Sequence, residues 1–344
     1  MTKPSICIIV PVYNVGVYVE DCIYSVMRQT YEGPIECIIV DDCGVDNSMD
    51  VVERLIEDYN GPISFNILHH SHNRGLSAAR NTGMDAATAD YIFFLDSDDE
   101  LTDDCLEMLS KPLEIELYDI VVGDASGYEC DSTRQWRKNS FWELNISNDM
   151  LLRGPSITIT LGKTWRWSAW GKLYNNKFLH DNNLIFNEGL VFEDIPWGYK
   201  IACLASSVYL INVSIYKYRY RDGSLTHPFD KRIKVESLVS IIKDLGDFAA
   251  SNTVDMADGY PFLNKFLCEV LYYYSYSLSR FVSIYKTIRP HLKIKFRDII
   301  KANHYHIKNI FYDFHLVIPL LIAPYWQFFL YYNFRPFISR YCKR

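Results

Sequence analysis

Residues 91–99 read YIFFLDSDD, an apolar run that passes directly into an acidic cluster. Such a run, bounded by polar residues, is typical of a strand buried on both faces of a sheet. Two β-branched runs of the same kind stand at 5–12 (SICIIVPV) and 35–40 (IECIIV), and helical patterns separate the runs. Strands that alternate with helices predict an α/β, Rossmann-like fold with a mostly parallel sheet and helices on both faces.

Polar residues follow the strands of the predicted sheet. Tyr13 and Asn14 come after the first strand, Asp42 comes after the second, and Asp96 begins the acidic cluster after the fourth. Ligands of parallel sheets bind beyond the carboxyl ends of the strands. We therefore expect these residues, which are distant in sequence, to lie along one edge of the sheet.

The acidic cluster at 96–99 (DSDD) is the strongest indication of chemistry in the chain. Carboxylates crowded at the end of a buried strand repel one another unless a cation lies among them. Their oxygen atoms suit Mg²⁺ or Mn²⁺, and a cation held by one or two carboxylates keeps positions open for phosphate oxygens. A solvated acidic turn ahead of a helix is the alternative interpretation.

Eight short motifs follow one another along the chain. They are PVYN at 11–14, VDD at 40–42, NRGLSAARN at 73–81, FLDSDD at 94–99, WGKLY at 170–174, FNEG at 186–189, FED at 192–194 and YRYRDGSLT at 218–226. Together they resemble the catalytic domain of the family 2 glycosyltransferases, over about residues 4–229. The resemblance implies the type A nucleotide-sugar fold. It also implies inverting transfer of a sugar from a nucleotide diphosphate donor, UDP-linked, to a saccharide or lipid-linked saccharide in surface polysaccharide synthesis.

The resemblance also implies a donor site in the first half of the chain, formed by Pro11, Tyr13, Asn14, Asp42, Arg74, Arg80, Asp96 and Ser97. Asp42 resembles the carboxylate that accepts from the nucleotide base. Arg80, and less directly Arg74, resembles the basic group that meets the pyrophosphate, for which a planar guanidinium is suited. An Asx-turn residue is the alternative for Asp42, and a surface helix position is the alternative for the arginines.

The same resemblance implies a metal site in the acidic cluster. Asp96 resembles the D-x-D residue that touches the ribose, Asp98 the metal ligand, and Asp99 a second candidate ligand. The implied cofactor is Mn²⁺ or Mg²⁺, which neutralises the diphosphate leaving group. His227 is a further candidate for a metal or phosphate contact, although a histidine directly before a proline is more often a plain loop residue.

On the acceptor side the resemblance implies a base and a sugar platform. Asp194 resembles the base that deprotonates the acceptor hydroxyl, with Glu193 in support, and two acidic residues in a first helical turn are the alternative. Trp170, near Trp165 and Trp167, would suit the apolar face of a sugar ring. Packing against the sheet is the alternative for Trp170.

Charge divides the chain into two parts. Residues 1–229 carry 18 Lys and Arg against 33 Asp and Glu, whereas residues 230–344 carry 17 against 9. We predict a catalytic domain over 1–229, with a nucleotide-sugar half at 1–110 and an acceptor half at 111–229, followed by a helical region at 230–344. The formal net charge of −7 argues against a dedicated nucleic-acid-binding protein.

Cysteine usage and the last residues bear on localisation. Nine cysteines without a CxxC pair, and a short apolar run at the N-terminus, predict a cytoplasmic protein. Residues 314–332 hold no Asp, Glu, Lys or Arg, yet Pro319 and Pro324 interrupt them and basic residues follow. This pattern favours peripheral contact with the inner membrane surface over a membrane span. A helical hairpin packed on the catalytic domain, or in a homodimer interface, is the alternative.

Two other functions compete with glycosyl transfer. A metal-dependent nucleotidyltransferase would use the same carboxylates, but it would need a Gly- and Lys-rich phosphate loop after the first strand, where the chain reads PVYNVGVY. A non-catalytic module that binds nucleotide sugars would not need the acidic pair at 193 and 194, which is present here.

Overall fold

The computed structural model describes residues 2–125, 127–130, 136–139, 146–154, 157, 168–219, 231–251 and 278–291. These residues form two compact units, one up to residue 219 and the other from residue 231. The boundary predicted after residue 229 falls outside the described residues, as do His227, Trp165, Trp167 and the segment 314–332.

The strands of the first unit confirm the predicted α/β fold. In chain order they are β1 (Ile6–Val12), β2 (Ile35–Asp41), β3 (Ser64–His69), β4 (Tyr91–Phe94), β5 (Glu100–Leu101), β6 (Ile120–Asp124), β7 (Gly127–Cys130), β8 (Trp136–Asn139), β9 (Met150–Arg153), β10 (Lys172–Asn175), β11 (Ser207–Ser214) and β12 (Tyr216–Arg219). All seven residues of β1 and all four of β4 are buried, which explains their uninterrupted apolar sequences.

Within the described residues the main sheet has eight strands in the order β3-β2-β1-β4-β10-β6-β11-β9. The neighbours from β3 to β4 are all parallel, and β11 is parallel to β6. β10 lies antiparallel between β4 and β6, and β9 lies antiparallel at the edge. The sheet is therefore mostly parallel. A second sheet has the order β5-β12-β7-β8. In it β5, which follows the acidic cluster, pairs with β12 near residue 219.

The helices of the described residues divide between the two units, six in the first and two in the second. They are α1 (Val19–Met27), α2 (Ser48–Glu57), α3 (Leu76–Ala86), α4 (Cys105–Ser110), α5 (Asn176–Asp181), α6 (Asp194–Leu204), α7 (Lys231–Ser251) and α8 (Leu278–Ile288), with 3₁₀ turns at Lys111–Glu114 and Arg289–His291. α3 begins after Gly75, whose φ of +89° suits glycine. A side chain at Gly83 would overlap Ile9 of β1, so glycine lets α3 pack closely against the central strands.

The second unit is helical in its described parts, as predicted. Buried residues of α7 and α8, with Ile241 and Tyr285 fully enclosed, form an apolar interior. Gly246 of α7 stands so close to the His291 carbonyl that any side chain there would overlap it. Among the residues with described structure, no helix is long and apolar enough to span a membrane.

Candidate functional site

The acidic cluster leaves the sheet at the end of β4, where the sequence predicted it. Leu95 still donates its backbone N–H to the Ile9 carbonyl at 3.0 Å, and the chain then turns, with Asp99 N donating to the Asp96 carbonyl at 3.0 Å. Ser97 is buried, with 6% of its surface exposed, and Asp98 is half-buried. Asp96 and Asp99, at the two ends of the turn, have different partners.

Arg80 of α3 gathers three carboxylates from distant parts of the chain. Its Nη1 donates to Glu193 Oε1 at 2.7 Å and to Asp194 Oδ1 at 3.0 Å. Its Nη2 donates to Asp96 Oδ1 at 2.7 Å. We call these four residues the Arg80 cluster. The structure thus brings the end of β4 and the start of α6 together at one guanidinium.

Two carboxylates of the Arg80 cluster remain partly open to solvent. The Arg80 side chain is only 1% exposed, whereas those of Asp194 and Asp96 are 25% and 22% exposed. Burial, and then the charge of Glu193, raises the pKa of Asp194, although Arg80 opposes this shift. Burial likewise raises the pKa of Asp96, against the opposing charge of Arg80. A reachable carboxylate with a raised pKa can accept a proton from a substrate hydroxyl.

Helix α3 also holds the segment that leads to α6. Asn81 Nδ2 donates to the Phe186 carbonyl at 2.9 Å, and Phe186 N donates to Asn81 Oδ1 at 2.8 Å. The Arg80 guanidinium lies 5.2 Å from the centre of the Phe186 ring, which stacks on Trp197 of α6 at 4.0 Å. Sequence reasoning missed Asn81, although it lies within the NRGLSAARN motif.

A second arginine anchors the other end of the acidic cluster. Arg219 of β12 donates its backbone N–H to Asp99 Oδ1 at 2.6 Å, and Tyr216 donates its hydroxyl to Asp99 Oδ2 at 2.8 Å. The Arg219 Nη2 atom donates to Glu100 at 2.7 Å and to Asp21 of α1 at 3.1 Å. We call these five residues the Arg219 cluster. Sequence reasoning missed Arg219 too, and the YRYRDGSLT motif was the signal available.

Asp98 and Asp99, the two predicted metal ligands, therefore differ. Asp99 is 1% exposed, and both of its oxygens accept hydrogen bonds from β12. Burial and then the charges of Asp98 and Asp96 raise the pKa of Asp99 well above its ordinary value. In the part of the chain that is described, no three His, Cys, Asp or Glu side chains form a ready-made metal cluster.

Asp42 organises the loop between β3 and α3. It is 2% exposed, and its Oδ1 is hydrogen-bonded to His70 Nδ1 at 2.7 Å and accepts Arg74 N at 2.8 Å. Its Oδ2 accepts Asn73 Nδ2 at 3.0 Å and Gly75 N at 2.8 Å. Four contacts to one carboxylate define the loop that starts α3.

Four other predicted donor residues lie in β1, directly after it, or within this loop. Pro11 is buried in β1 opposite Val40, Tyr13 is 46% exposed at the end of that strand, and Asn14 Oδ1 accepts the N–H of Val45 at 2.9 Å. Arg74 is 40% exposed and donates to Glu188 at 3.2 Å. The Tyr13 ring is therefore exposed at the end of β1, and the Arg74 guanidinium is exposed in the loop while it binds Glu188.

Trp170, the predicted sugar platform, lies in the core. It is 5% exposed, and its ring stacks on Tyr216 at 4.4 Å and on Tyr218 at 5.7 Å. Lys172, which sequence reasoning passed over, is 2% exposed and donates to the carbonyls of Ser168 and Trp170. The contacts of Trp170 are those of the packing alternative, and its role in acceptor binding stays a prediction.

The chain is similar to known proteins across both of its halves. The family model described as glycosyl transferase family 2 matches residues 7–167. Glycosyltransferase GlyA of Streptococcus pneumoniae is 33% identical over 236 residues, which are 67% of this chain but only 33% of GlyA. The chain therefore spans a third of that relative's length.

Two solved structures share the fold. Residues 1–349 of TarS from S. aureus, in complex with UDP-GlcNAc, superpose with a TM-score of 0.60 at 18% identity, covering 89% of each chain. The mannosyltransferase PcManGT from Pyrobaculum calidifontis, in complex with GDP-Man and Mn²⁺, gives 0.52 at 16% identity, covering 90% of this chain and 88% of that one. Identities this low show the fold alone. Together with the order of the motifs, the family match shows that residues 7–167 belong to glycosyl transferase family 2.

Proposed function

We propose that this protein transfers a sugar from a nucleotide diphosphate sugar to an acceptor hydroxyl, with inversion at the sugar carbon. The observation that carries the proposal is the Arg80 cluster. In this cluster Arg80 binds both Asp96, a predicted donor residue at the end of β4, and Asp194. Asp194 is a partly exposed carboxylate with a raised pKa. A donor residue and a base that meet at one guanidinium are what a single-displacement transfer needs.

The donor binds along the ends of β1, β2 and β4. The exposed ring of Tyr13 offers a stacking surface for the nucleotide base, and Asn14 lies beside it. Asp42 supports this site through the loop it organises, from which Arg74 reaches the open edge. UDP is the proposed nucleotide, because TarS in complex with UDP-GlcNAc gives a TM-score of 0.60, against 0.52 for PcManGT in complex with GDP-Man.

Asp98 is the residue we propose as the ligand of Mn²⁺ or Mg²⁺. The negative charge of Asp98 contributes to the raised pKa of both Asp96 and Asp99, and a cation at this point would relieve that repulsion. One carboxylate is enough for a cation that also binds phosphate oxygens. The bound ion would supply neutralisation of the diphosphate leaving group. His227 stays a candidate contact, and Asp99 acts by anchoring the turn.

Asp194 acts as the base, and Glu193 supports it. The acceptor oxygen attacks the sugar carbon on the face opposite the diphosphate, and the bond from that carbon to the diphosphate oxygen breaks. The hydroxyl proton passes to Asp194 Oδ, and the electron pair leaves with the diphosphate. Burial, and then the neighbouring charge of Glu193, raises the pKa of Asp194, which makes it a better proton acceptor.

The acceptor and the cellular setting extend the proposal. We propose a saccharide or lipid-linked saccharide acceptor, a role in surface polysaccharide synthesis, and a catalytic domain over residues 1–229. The basic region at 230–344 is proposed to touch the cytoplasmic face of the inner membrane. The support is its 17 Lys and Arg against 9 Asp and Glu, opposite in sign to the catalytic part. A homodimer is the alternative use of this region.

A donor screen tests the proposed function. The full chain is incubated with UDP- and GDP-linked sugars and Mn²⁺ or Mg²⁺, and released nucleoside diphosphate is measured with and without saccharide acceptors. We expect one donor to be turned over, and acceptor to accelerate the release. The anomeric configuration of the product, read by NMR, decides between inversion and retention. Conversion of a nucleoside triphosphate and a sugar 1-phosphate to a nucleotide diphosphate sugar, with release of pyrophosphate, would support the nucleotidyltransferase instead.

A further inference from the structure

Arg80 is a buried cation among three carboxylates, and its geometry is rigid. Nη1 faces Glu193 and Asp194, and Nη2 faces Asp96, all within 3.0 Å. The guanidinium is planar, so its two amino groups keep a constant separation. The position of Asp194 relative to Asp96 is therefore set by the side chain of Arg80.

The remaining surface of Arg80 is closed to a ligand. Its side chain is 1% exposed, and its Nε, which has no acceptor among the described residues, is also shielded from solvent. One face of the guanidinium lies against the Phe186 ring. Both Nη atoms are directed at carboxylates, which leaves little room for phosphate oxygens.

The support of Arg80 is itself well anchored. Asn81, the next residue of α3, holds the Phe186 backbone through a pair of hydrogen bonds. Phe186 in turn stacks on Trp197, which belongs to the helix that begins at Asp194. A displacement of α3 would therefore move the start of α6, and the guanidinium connects the same two elements directly.

We infer that Arg80 is a positioning residue, which aligns the base Asp194 with the donor residue Asp96 and does not contact the phosphates of the donor. This inference rests on the proposed function, since it assigns Asp194 as the base. It differs from the pyrophosphate contact that the family resemblance implies for Arg80. Replacement of the Arg80 guanidinium should impair transfer and leave the affinity for the nucleotide unchanged.

The test compares Arg80→Lys with Arg153→Lys. Arg153 is the control, because it also binds a carboxylate, with its Nη2 donating to both Glu116 oxygens at 2.7 Å, but lies exposed on the edge strand β9. Lysine keeps the charge and cannot span Asp96 and Asp194. We expect kcat of Arg80→Lys to fall about 10²-fold, the scale of a misplaced catalytic group. UDP affinity, measured by calorimetry, should stay within about threefold of wild type. A UDP affinity lowered about tenfold or more with kcat intact would overturn the inference.

Hydrogen exchange separates this inference from the proposed function. Amide exchange in the peptide covering residues 187–196 should accelerate in Arg80→Lys and stay unchanged in Arg153→Lys, whether or not the wild type turns over any donor. Equal exchange in both variants would overturn the inference. If Arg80→Lys does not fold, Asn81→Ala replaces it, because Asn81 has no predicted donor contact. Asn81→Ala should lower kcat about tenfold and leave UDP affinity unchanged, and the reverse pattern would count against the inference.

Discussion

Two buried arginines flank the acidic turn after β4, and their carboxylate partners differ in exposure. Arg80 and Arg219 are 1% and 3% exposed. Around Arg80, Asp194 and Asp96 keep 25% and 22% of their side chains exposed. On the other side, Asp99 is 1% exposed and Glu100 is 10% exposed, while Asp21 lies at the rim at 37%.

The difference shows how a carboxylate beside a buried arginine can serve either of two purposes. A buried carboxylate whose two oxygens are both occupied, as in Asp99, stabilises a turn and is closed to substrate. A carboxylate held through one oxygen and left partly open, as in Asp194, can still exchange a proton. We call the side of the turn that holds Asp96 and the proposed base Asp194 the reactive side, and the side that holds the closed Asp99 the anchoring side.

The largest expected effect comes from the reactive side. Asp194→Asn removes the proposed base and keeps the shape of the side chain, so transfer should slow by about 10²–10⁴-fold. Nucleotide binding, measured by calorimetry with UDP, should persist. Asp181→Asn, on the exposed surface of α5, is the control. A variant that loses UDP binding but keeps its turnover would contradict this assignment.

The pH dependence of transfer sharpens the same point. Because burial and Glu193 raise the pKa of Asp194, the base is protonated over a wider acidic range than an ordinary aspartate. The rate should therefore fall by about tenfold per pH unit below that raised pKa and level off above it. In Asp194→Asn the residual rate should no longer fall at low pH. If the wild-type rate instead falls only below the ordinary pKa of aspartate, the base is not a buried carboxylate.

Asp98 should give the next largest effect. Asp98→Ala removes the proposed metal ligand, and a lost charge-stabilising group lowers turnover by about 10²–10³-fold. The measurement is donor turnover as a function of Mn²⁺ or Mg²⁺ concentration, where the variant should lose its metal response. Asp103→Ala, an exposed acidic residue beyond the turn, is the control. Full wild-type activity in excess chelator would contradict the metal assignment.

Substitutions on the anchoring side should lower the stability of the protein more than they lower the rate of transfer. Tyr216→Phe leaves Asp99 Oδ2 and the backbone N–H of Asp96 without the tyrosine hydroxyl. The free energy of unfolding should fall by about 1–3 kcal/mol, the usual effect of unsatisfied buried polar groups. Urea denaturation measures it, with Tyr24→Phe on the exposed surface of α1 as the control. A large loss of kcat at an unchanged free energy of unfolding would contradict the anchoring role of this side.

The smallest expected effect on transfer comes from the basic tail, by which we mean the four residues Arg335, Arg340, Lys343 and Arg344. Each Lys or Arg near an anionic membrane contributes on the order of 1 kcal/mol to the free energy of binding. The combined variant Arg335→Gln, Arg340→Gln, Lys343→Gln and Arg344→Gln should therefore release the full chain from acidic vesicles. Transfer to a soluble acceptor should not change. The control carries Gln at four exposed basic residues of the first unit, Arg28, Arg54, Arg153 and Lys177. If the wild-type chain does not bind acidic vesicles at low salt, the membrane proposal is wrong, and the tail packs internally or in a dimer.

Much of the sheet could be predicted because its signal is local. The apolar runs at 5–12 and 35–40 correspond to β1 and β2, which are almost wholly buried. The acidic cluster lies at the end of β4, as the strand pattern predicted. The insertion of β10 between β4 and β6 was not predictable, since antiparallel pairing of β10 with Phe93 and Val121 depends on contacts far along the chain.

Sequence by itself determined the type of fold, the order of the motifs and the residue types gathered at the strand ends. Only the tertiary structure decided what those residues touch. Arg80 meets partners 16, 113 and 114 positions away, and Arg219 meets Asp21 at a separation of 198. Periodicity reports the burial of a segment, because burial follows from each strand or helix separately. Which carboxylate is anchored and which stays open depends on elements that only folding brings together, and no local pattern records that choice.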